Sequence, residues 1–257
     1  MSTINTVPAV EKLGVGLLHA LARPANKEQL AAKPPVGAFV SPYSCALALT
    51  LALEGAQPAS TTARQLVGLL ADDANAHPSA VTTEIARVLK LIQGASADGL
   101  IVAVANSVWA KPARPLRAEY VSRVKQLGAT AQPLTNADVV NAWCSEHTNG
   151  KISHIVDEQT VDSMDAMLIN ALYFKGLWAH QFRKGSTQRA CFTTRTGDAL
   201  DVAMMSKKFE ARQAEWAITD QYAAVRLPYK VCIFCHDDDR KHLIVIMPPR
   251  RATRLRR

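Results

Sequence analysis

The stretch Met167-Leu-Ile-Asn-Ala-Leu-Tyr-Phe174, continued by Lys175-Gly-Leu-Trp178, decides the fold of this 257-residue chain. Its first part is apolar except for Asn170, and it predicts a long strand that is covered on both faces. Residues 100–109 have the same character and predict a central strand. Helix patterns come first in the chain, and strand patterns dominate later, near 199–205, 207–213, 221–227 and 243–247. This order indicates an α+β fold with large mixed or antiparallel sheets.

The clearest helix is Ser41-Pro-Tyr-Ser-Cys-Ala-Leu-Ala-Leu-Thr-Leu-Ala-Leu-Glu-Gly55. Ser41 suits the N-cap because its hydroxyl can accept a hydrogen bond from an unpaired amide. Pro42 suits the first helical position because its missing N–H is not needed there. We expect Gly55 to end the helix in a left-handed conformation. The segment is apolar nearly all round, which predicts that the helix is buried inside a large fold.

Composition and charge exclude several classes of protein. With 48% apolar and 20% charged residues, the chain is typical of a globular protein. No apolar run is long enough to span a bilayer. Five arginines in a basic tail over 250–257 account for most of the net charge of +8, and this tail lacks the interleaved aromatic residues of a nucleic-acid groove. We therefore expect neither nucleic-acid nor membrane binding, and the five cysteines predict no disulfide scaffold.

The N-terminal segment has two interpretations. Apolar residues recur there at helical spacing and predict an amphipathic helix: Val10, Leu13, Leu17 and Leu21. Lys12, a following apolar run and Ala20-Leu-Ala22 also resemble a signal peptide, although Glu11 and His19 interrupt that pattern. We therefore predict an N-terminal helix and linker over 1–35, and we favour an intracellular chain.

Three stretches, taken together, resemble the serpins, a family of serine protease inhibitors. They are Phe39-Val-Ser-Pro-Tyr-Ser44 with the helix that ends Glu54-Gly-Ala56, Thr148-Asn-Gly-Lys-Ile152, and Asn170-Ala-Leu-Tyr-Phe-Lys-Gly-Leu-Trp178. Weaker matches follow in the family's order: Ala105-Asn-Ser-Val-Trp109, Ser186-Thr187 with Phe192, Met204-Met-Ser206 and Leu227-Pro-Tyr229. The resemblance implies a serpin-like fold, with N-terminal helices packed on the sheets and a partial serpin domain over 36–249.

The resemblance also implies roles for individual residues. Ser41, Ser44 and Asn170 match the serpin shutter, a polar cluster beneath the place where the main sheet opens. Trp178 matches the aromatic residue at the breach, where loop insertion begins. Short hydroxyls and an amide suit a shutter because they can exchange hydrogen bonds between two states of a sheet. Without the family context, these residues would be a helix cap, a strand Asn and a core Trp.

A serpin inhibits a serine or cysteine protease when its reactive loop is cut and inserts as a new strand in the main sheet. In the family, that loop, the shutter histidine and another main-sheet strand follow the part matched here, and none can be located in these residues. The sequence also departs from the family pattern at Val231. We therefore expect a C-terminally truncated chain that has no reactive centre and does not inhibit a protease. Its exposed sheet edges would favour self-association, and an extracellular location stays possible by resemblance.

Alternatives to protease inhibition stay open. The chain could be a non-inhibitory serpin-like fragment, or the product of a decayed gene, that acts as a binding protein if it acts at all. Cys232-Ile-Phe-Cys-His236 matches a c-type haem attachment pattern, and Cys232, Cys235 and His236 could bind zinc with Asp237 or His242 as a fourth ligand. No motif of a common enzyme class is present, so we expect no catalytic residue, metal or cofactor.

Overall fold

The computed structural model describes residues 5–22, 40–94, 96, 99–194, 197–210, 213–230 and 242–247. The chain divides into two units. The first consists of Met1–Ala95 and Val102–Tyr173, and the second of Ser96–Ile101 and Phe174–Arg257. The predicted boundaries at 35/36 and 249/250 lie outside the described residues and stay predictions.

All of the described α-helices belong to the first unit. They are α1 Val7–Ala22, α2 Pro42–Gly55, α3 Thr61–Leu70, α4 Pro78–Gln93, α5 Ala118–Gln126, α6 Ala137–His147 and α7 Glu158–Ser163. The helix predicted at the N-terminus is thus confirmed. No described helix combines the length and the hydropathy that a membrane span requires.

The first four helices share one hydrophobic core. Its fully buried members include Val10, Leu47, Val67, Leu70 and Ile85. Burying a side chain of this size contributes about 1.5–3 kcal/mol relative to leaving it in water. This core explains why α2 is apolar nearly all round, because α1, α3, α4 and α5 all pack against it.

The predicted start of α2 is confirmed, and the predicted end is not. Ser41 is extended (φ −112°, ψ 106°), its Oγ accepts a hydrogen bond from Ser44 N at 3.2 Å, and Pro42 lies in the first turn. The left-handed conformation predicted for Gly55 is wrong, because the described glycines with positive φ lie elsewhere. The helix ends because Ala56 is extended (φ −82°, ψ 148°) while its N–H donates back to a carbonyl of the last turn, at 3.1 Å.

One sheet has three strands, β1 Leu100–Ala110, β2 Ala129–Pro133 and β3 Ala166–Gly176, in the order β2-β1-β3. β1 is the central strand, as predicted, and it pairs in parallel with β2. Its neighbouring residues Val108 and Trp109 are buried in two different hydrophobic clusters. Because adjacent side chains of a strand point to opposite faces, both faces of β1 are covered over residues 106–110.

β3 lies at the edge of this sheet as far as the structure describes it. The sequence correctly predicted a strand, but the prediction that both faces are covered is wrong. Leu168 is 38% exposed and Phe174 is 46% exposed, whereas Ile169 and Ala171 are buried. Because successive side chains of a strand point to opposite faces, Leu168 and Phe174 share one face and Ile169 and Ala171 share the other, so the first face is left partly uncovered by the described residues.

The second unit is built from short antiparallel strands. They are β4 Gln188–Thr193, β5 Ala199–Met204, β6 Glu215–Ile218, β7 Ala223–Pro228 and β8 His242–Met247. β4 pairs with β5, and a second sheet has the order β6-β7-β8. The strand predicted over 207–213 is wrong, since the described residues of this range, 207–210 and 213, are irregular and the next described strand begins at Glu215. Helices with mixed sheets confirm the predicted α+β class.

Candidate functional site

Ser41 and Ser44 form a helix cap at the start of α2. The Ser41 hydroxyl accepts from the backbone N–H of Ser44, so Ser44 contributes its main chain rather than its side chain. Both residues are half-buried. This contact satisfies one of the amides that a helix leaves unpaired at its N-terminus.

Asn170 contacts a second asparagine across the sheet. Its Nδ2 donates to Asn106 Oδ1 at 2.7 Å, and the two residues lie on β3 and on the central strand β1. Asn106 is 2% exposed. The Asn170 Oδ1 atom is buried and has no hydrogen-bond partner among the described residues. A buried acceptor without a donor is costly, so this atom is suited to receive a further N–H or O–H.

Hydrogen bonds among the described residues therefore do not join the three predicted shutter residues into one cluster. Ser41 accepts a hydrogen bond from Ser44, and Asn170 donates one to Asn106, but among the described residues no hydrogen bond joins the two pairs. The shutter role stays a prediction. Sequence reasoning missed Asn106, although a polar residue inside a buried apolar strand was the available signal.

Trp178 stacks on Tyr229 within the second unit. The two ring centroids are 4.8 Å apart with an interplanar angle of 8°, and the two residues also form an isolated antiparallel bridge. Hydrogen bonds from Lys230 N to Leu177 O and from Ala179 N to Pro228 O, at 2.7 and 2.9 Å, hold the two backbones together. Burial raises the pKa of the Tyr229 hydroxyl. The breach role of Trp178 stays a prediction.

Gly176 makes this stacking possible. A Cβ atom at this position would stand 2.6 Å from Cδ1 of Tyr229, closer than real side chains allow. Phe174 also contacts Tyr229, edge-on, with centroids 5.2 Å apart. The glycine and the aromatic residues of the Asn170–Trp178 motif therefore serve one purpose, which is to fit Tyr229 against the end of β3.

An aromatic series continues from Trp178 through the second unit. Phe182 lies edge-on to Trp178 at 6.4 Å, Phe209 lies 6.1 Å from Phe182, and Trp216 lies 6.1 Å from Phe209. The series ends at the surface, because Trp216 is 60% exposed. The sequence did not predict this series, since its members come from segments far apart along the chain.

The motif Thr148-Asn-Gly-Lys-Ile152 forms the end of α6. The Thr148 hydroxyl donates to Cys144 O at 2.7 Å and accepts from Ile152 N at 3.0 Å. Asn149 and Gly150 are both left-handed, with φ of 51° and 70°. The N–H of Gly150 donates to Ser145 O at 2.8 Å, which closes the last turn.

The predicted haem or zinc ligands Cys232, Cys235 and His236 lie outside the described residues. Within the described ranges, no group of His, Cys, Asp and Glu is arranged to hold a metal ion. Cys45, Cys144 and Cys191 are free thiols.

Comparison with known proteins identifies the family. The family model for serpins, the serine protease inhibitors, matches residues 17–257. This chain belongs to the serpin family. The match extends over 231–257, so it does not support the predicted departure from the serpin pattern at Val231.

Relatives and solved structures agree with this assignment. The chain is 30% identical over 201 residues to Ipis-1 of Ixodes persulcatus, covering 75% of this chain and 51% of that protein. It is 29% identical over 201 residues to "Probable non-inhibitory serpin-Z5" of Arabidopsis thaliana, covering 74% and 46%. The crystal structure of Manduca sexta serpin-12 matches with a TM-score of 0.73 and 23% identity, covering 95% of this chain and 64% of that one. The chain spans about half the length of the curated relatives it matches.

Proposed function

We propose that this serpin serves serine-type endopeptidase inhibition and that the present chain supplies the sheet edge which accepts an inserted strand. The observation that carries the proposal is the position of β3 at the edge of its described sheet. An edge strand offers a row of unpaired N–H and C=O groups, and strand addition converts them into a ladder of hydrogen bonds. The proposal assigns the chain no catalytic residue of its own.

The polar pair on this sheet supports the same proposal. Asn170 Oδ1 is a buried acceptor that lacks a donor among the described contacts. A group arriving beside β3 could donate to it without disturbing the bond between Asn170 and Asn106. The serpin resemblance implies a shutter histidine in the part of the family that follows this match, and an imidazole N–H is a suitable donor.

We further propose that residues 1–257 do not trap a protease by themselves, because the resemblance assigns the reactive loop to a later part of a serpin. The test is to mix the purified chain with a trypsin-like and a chymotrypsin-like protease, with a known inhibitory serpin as the positive control. We expect no SDS-stable covalent complex with this chain. Such a complex would contradict this part of the proposal.

A peptide tests the strand-accepting edge directly. We would add a peptide of alternating threonine and alanine with the same number of residues as β3. The control, the N-methylated twin, is a peptide of the same sequence in which alternate backbone amides are N-methylated. At about a hundredfold excess over Kd, a bound strand stabilises the fold by about 2.7 kcal/mol, so Tm should rise. The N-methylated twin cannot complete the ladder and should have little effect. Equal shifts with both peptides, or no shift with either, would argue against an accepting edge.

A second candidate is a non-inhibitory binding protein. The surface end of the aromatic series at Trp216, and the similarity to a relative named as non-inhibitory, favour this candidate. The two candidates differ in the peptide experiment, because a non-inhibitory scaffold has no need of an accepting edge. Failure of the threonine–alanine peptide to stabilise the chain would therefore favour the second candidate.

A further inference from the structure

The pair Asn149-Gly150, at the end of α6, is the only Asn-Gly sequence in the chain. Both residues are exposed, and both have left-handed backbones. We infer that Asn149 is a site of spontaneous deamidation and that the closing hydrogen bonds of α6 control its rate. This inference is independent of the proposed function.

The reaction requires nothing beyond the chain and water. The backbone nitrogen of Gly150 attacks Cγ of Asn149, the nitrogen loses its proton, and the side-chain amide leaves as ammonia. The resulting five-membered succinimide is then opened by water at either carbonyl, which gives aspartate or isoaspartate. Glycine after the asparagine favours attack, because there is no side chain to obstruct it. Apart from Gly150 and its two chain neighbours, no atom of the described residues lies within 4 Å of where a Cβ of Gly150 would be, so the turn is also open to water.

The folded structure restrains the attacking nitrogen. The N–H of Gly150 donates to Ser145 O at 2.8 Å, and this bond must break before the nitrogen can reach Cγ of Asn149. Thr148 stabilises the same turn, because its buried hydroxyl donates to Cys144 O and accepts from Ile152 N. Deamidation therefore requires the last turn of α6 to open, a local event that needs no global unfolding.

Either product of deamidation would destabilise the C-terminal end of α6. Either product adds a negative charge at the helix C-terminus, where the helix dipole is already negative. Isoaspartate also adds one carbon to the backbone. The longer backbone would disturb the left-handed turn that the Gly150 N–H closes. α6 holds Trp143 against Trp109 of β1, with ring centroids 6.3 Å apart, so the change would weaken the attachment of α6 to the sheet.

Other asparagines provide internal controls. The tryptic peptide over 126–151 contains Asn136, Asn141 and Asn149, and the first two are each followed by alanine. Incubation of the purified chain in mildly alkaline buffer, folded and in urea, would be followed by mass spectrometry of this peptide. Fragment ions separate the three sites, and an isoaspartyl methyltransferase assay identifies the isoaspartate product.

We expect deamidation at Asn149 and little at the other two sites, with a rate in the folded chain about two- to tenfold below the rate in urea, as the loss of one net hydrogen bond predicts. Thr148→Val should speed the reaction in the folded chain and leave the rate in urea unchanged. Equal rates for the folded and unfolded wild-type chain would overturn the control by α6, and no reaction in urea would overturn the site itself. Both outcomes are measured on the wild-type chain, so they do not depend on whether Thr148→Val folds.

Discussion

Asn141 attaches the segment after α6 to α6 itself. It is buried, its Oδ1 accepts from Ile155 N and Val156 N at 2.8 and 3.2 Å, and its Nδ2 donates to Val156 O at 2.9 Å. One side chain therefore satisfies three backbone groups of a segment that belongs to no helix or strand. Without these bonds, buried backbone atoms would lose their partners.

Asn141→Ala should lower the free energy of unfolding by about 3 kcal/mol, because it leaves several backbone groups without partners. Asn136→Ala, at the N-cap of the same helix, is the matched control, since Asn136 is exposed and its side chain accepts a hydrogen bond from Val139 N at 3.0 Å. Removing that cap should cost about 1 kcal/mol. Urea denaturation of both variants would measure the difference, and similar losses would show that the Asn141 bonds add nothing beyond a cap.

Local residue roles could be predicted from the sequence, whereas their partners could not. Ser41 and Pro42 were predicted correctly because a helix start is decided by neighbours along the chain. Asn170 was identified from its motif, but its partner Asn106 is 64 residues away in sequence. Such a bond depends on which strands become neighbours, and local patterns do not determine that pairing.

At the scale of the element, substitutions at the start of α2 distinguish a capping role from a shutter role for Ser41 and Ser44. If Ser41 serves the cap, Ser41→Ala should lower the free energy of unfolding by about 1 kcal/mol. Ser44 contributes its backbone N–H to that cap, and so Ser44→Ala should change stability by no more than about 0.5 kcal/mol. Thermal unfolding of the two variants provides the measurement. A comparable loss for Ser44→Ala would instead favour a role for its hydroxyl, as the predicted shutter requires.

Strands show the same limit of local prediction. β1 and β3 were both found from their apolar character, yet one is central and the other lies at the edge of the described sheet. Their sequences are similarly apolar because both contribute to buried clusters through Trp109 and Ile169. Edge position, and the cover over each face of a strand, depend on the elements that pack around the whole sheet. The exposure of Leu168 therefore could not be predicted from the strand itself.

At the scale of the whole molecule, the two units differ in how much apolar surface they bury. The first unit contains three hydrophobic clusters, whereas β4 and β5 have no buried residue at any position. A two-stranded hairpin is marginally stable by itself, and its cross-strand pair Phe192 and Leu200 is about half exposed. We therefore expect backbone amides of β4 and β5 to exchange with deuterium at least about a hundredfold faster than those of β1 and β2. Mass spectrometry of peptic fragments would compare them in one sample, with the buried helix α2 as a slow reference. Equal protection of the hairpin and of β1 would mean that the hairpin opens only when the first unit unfolds.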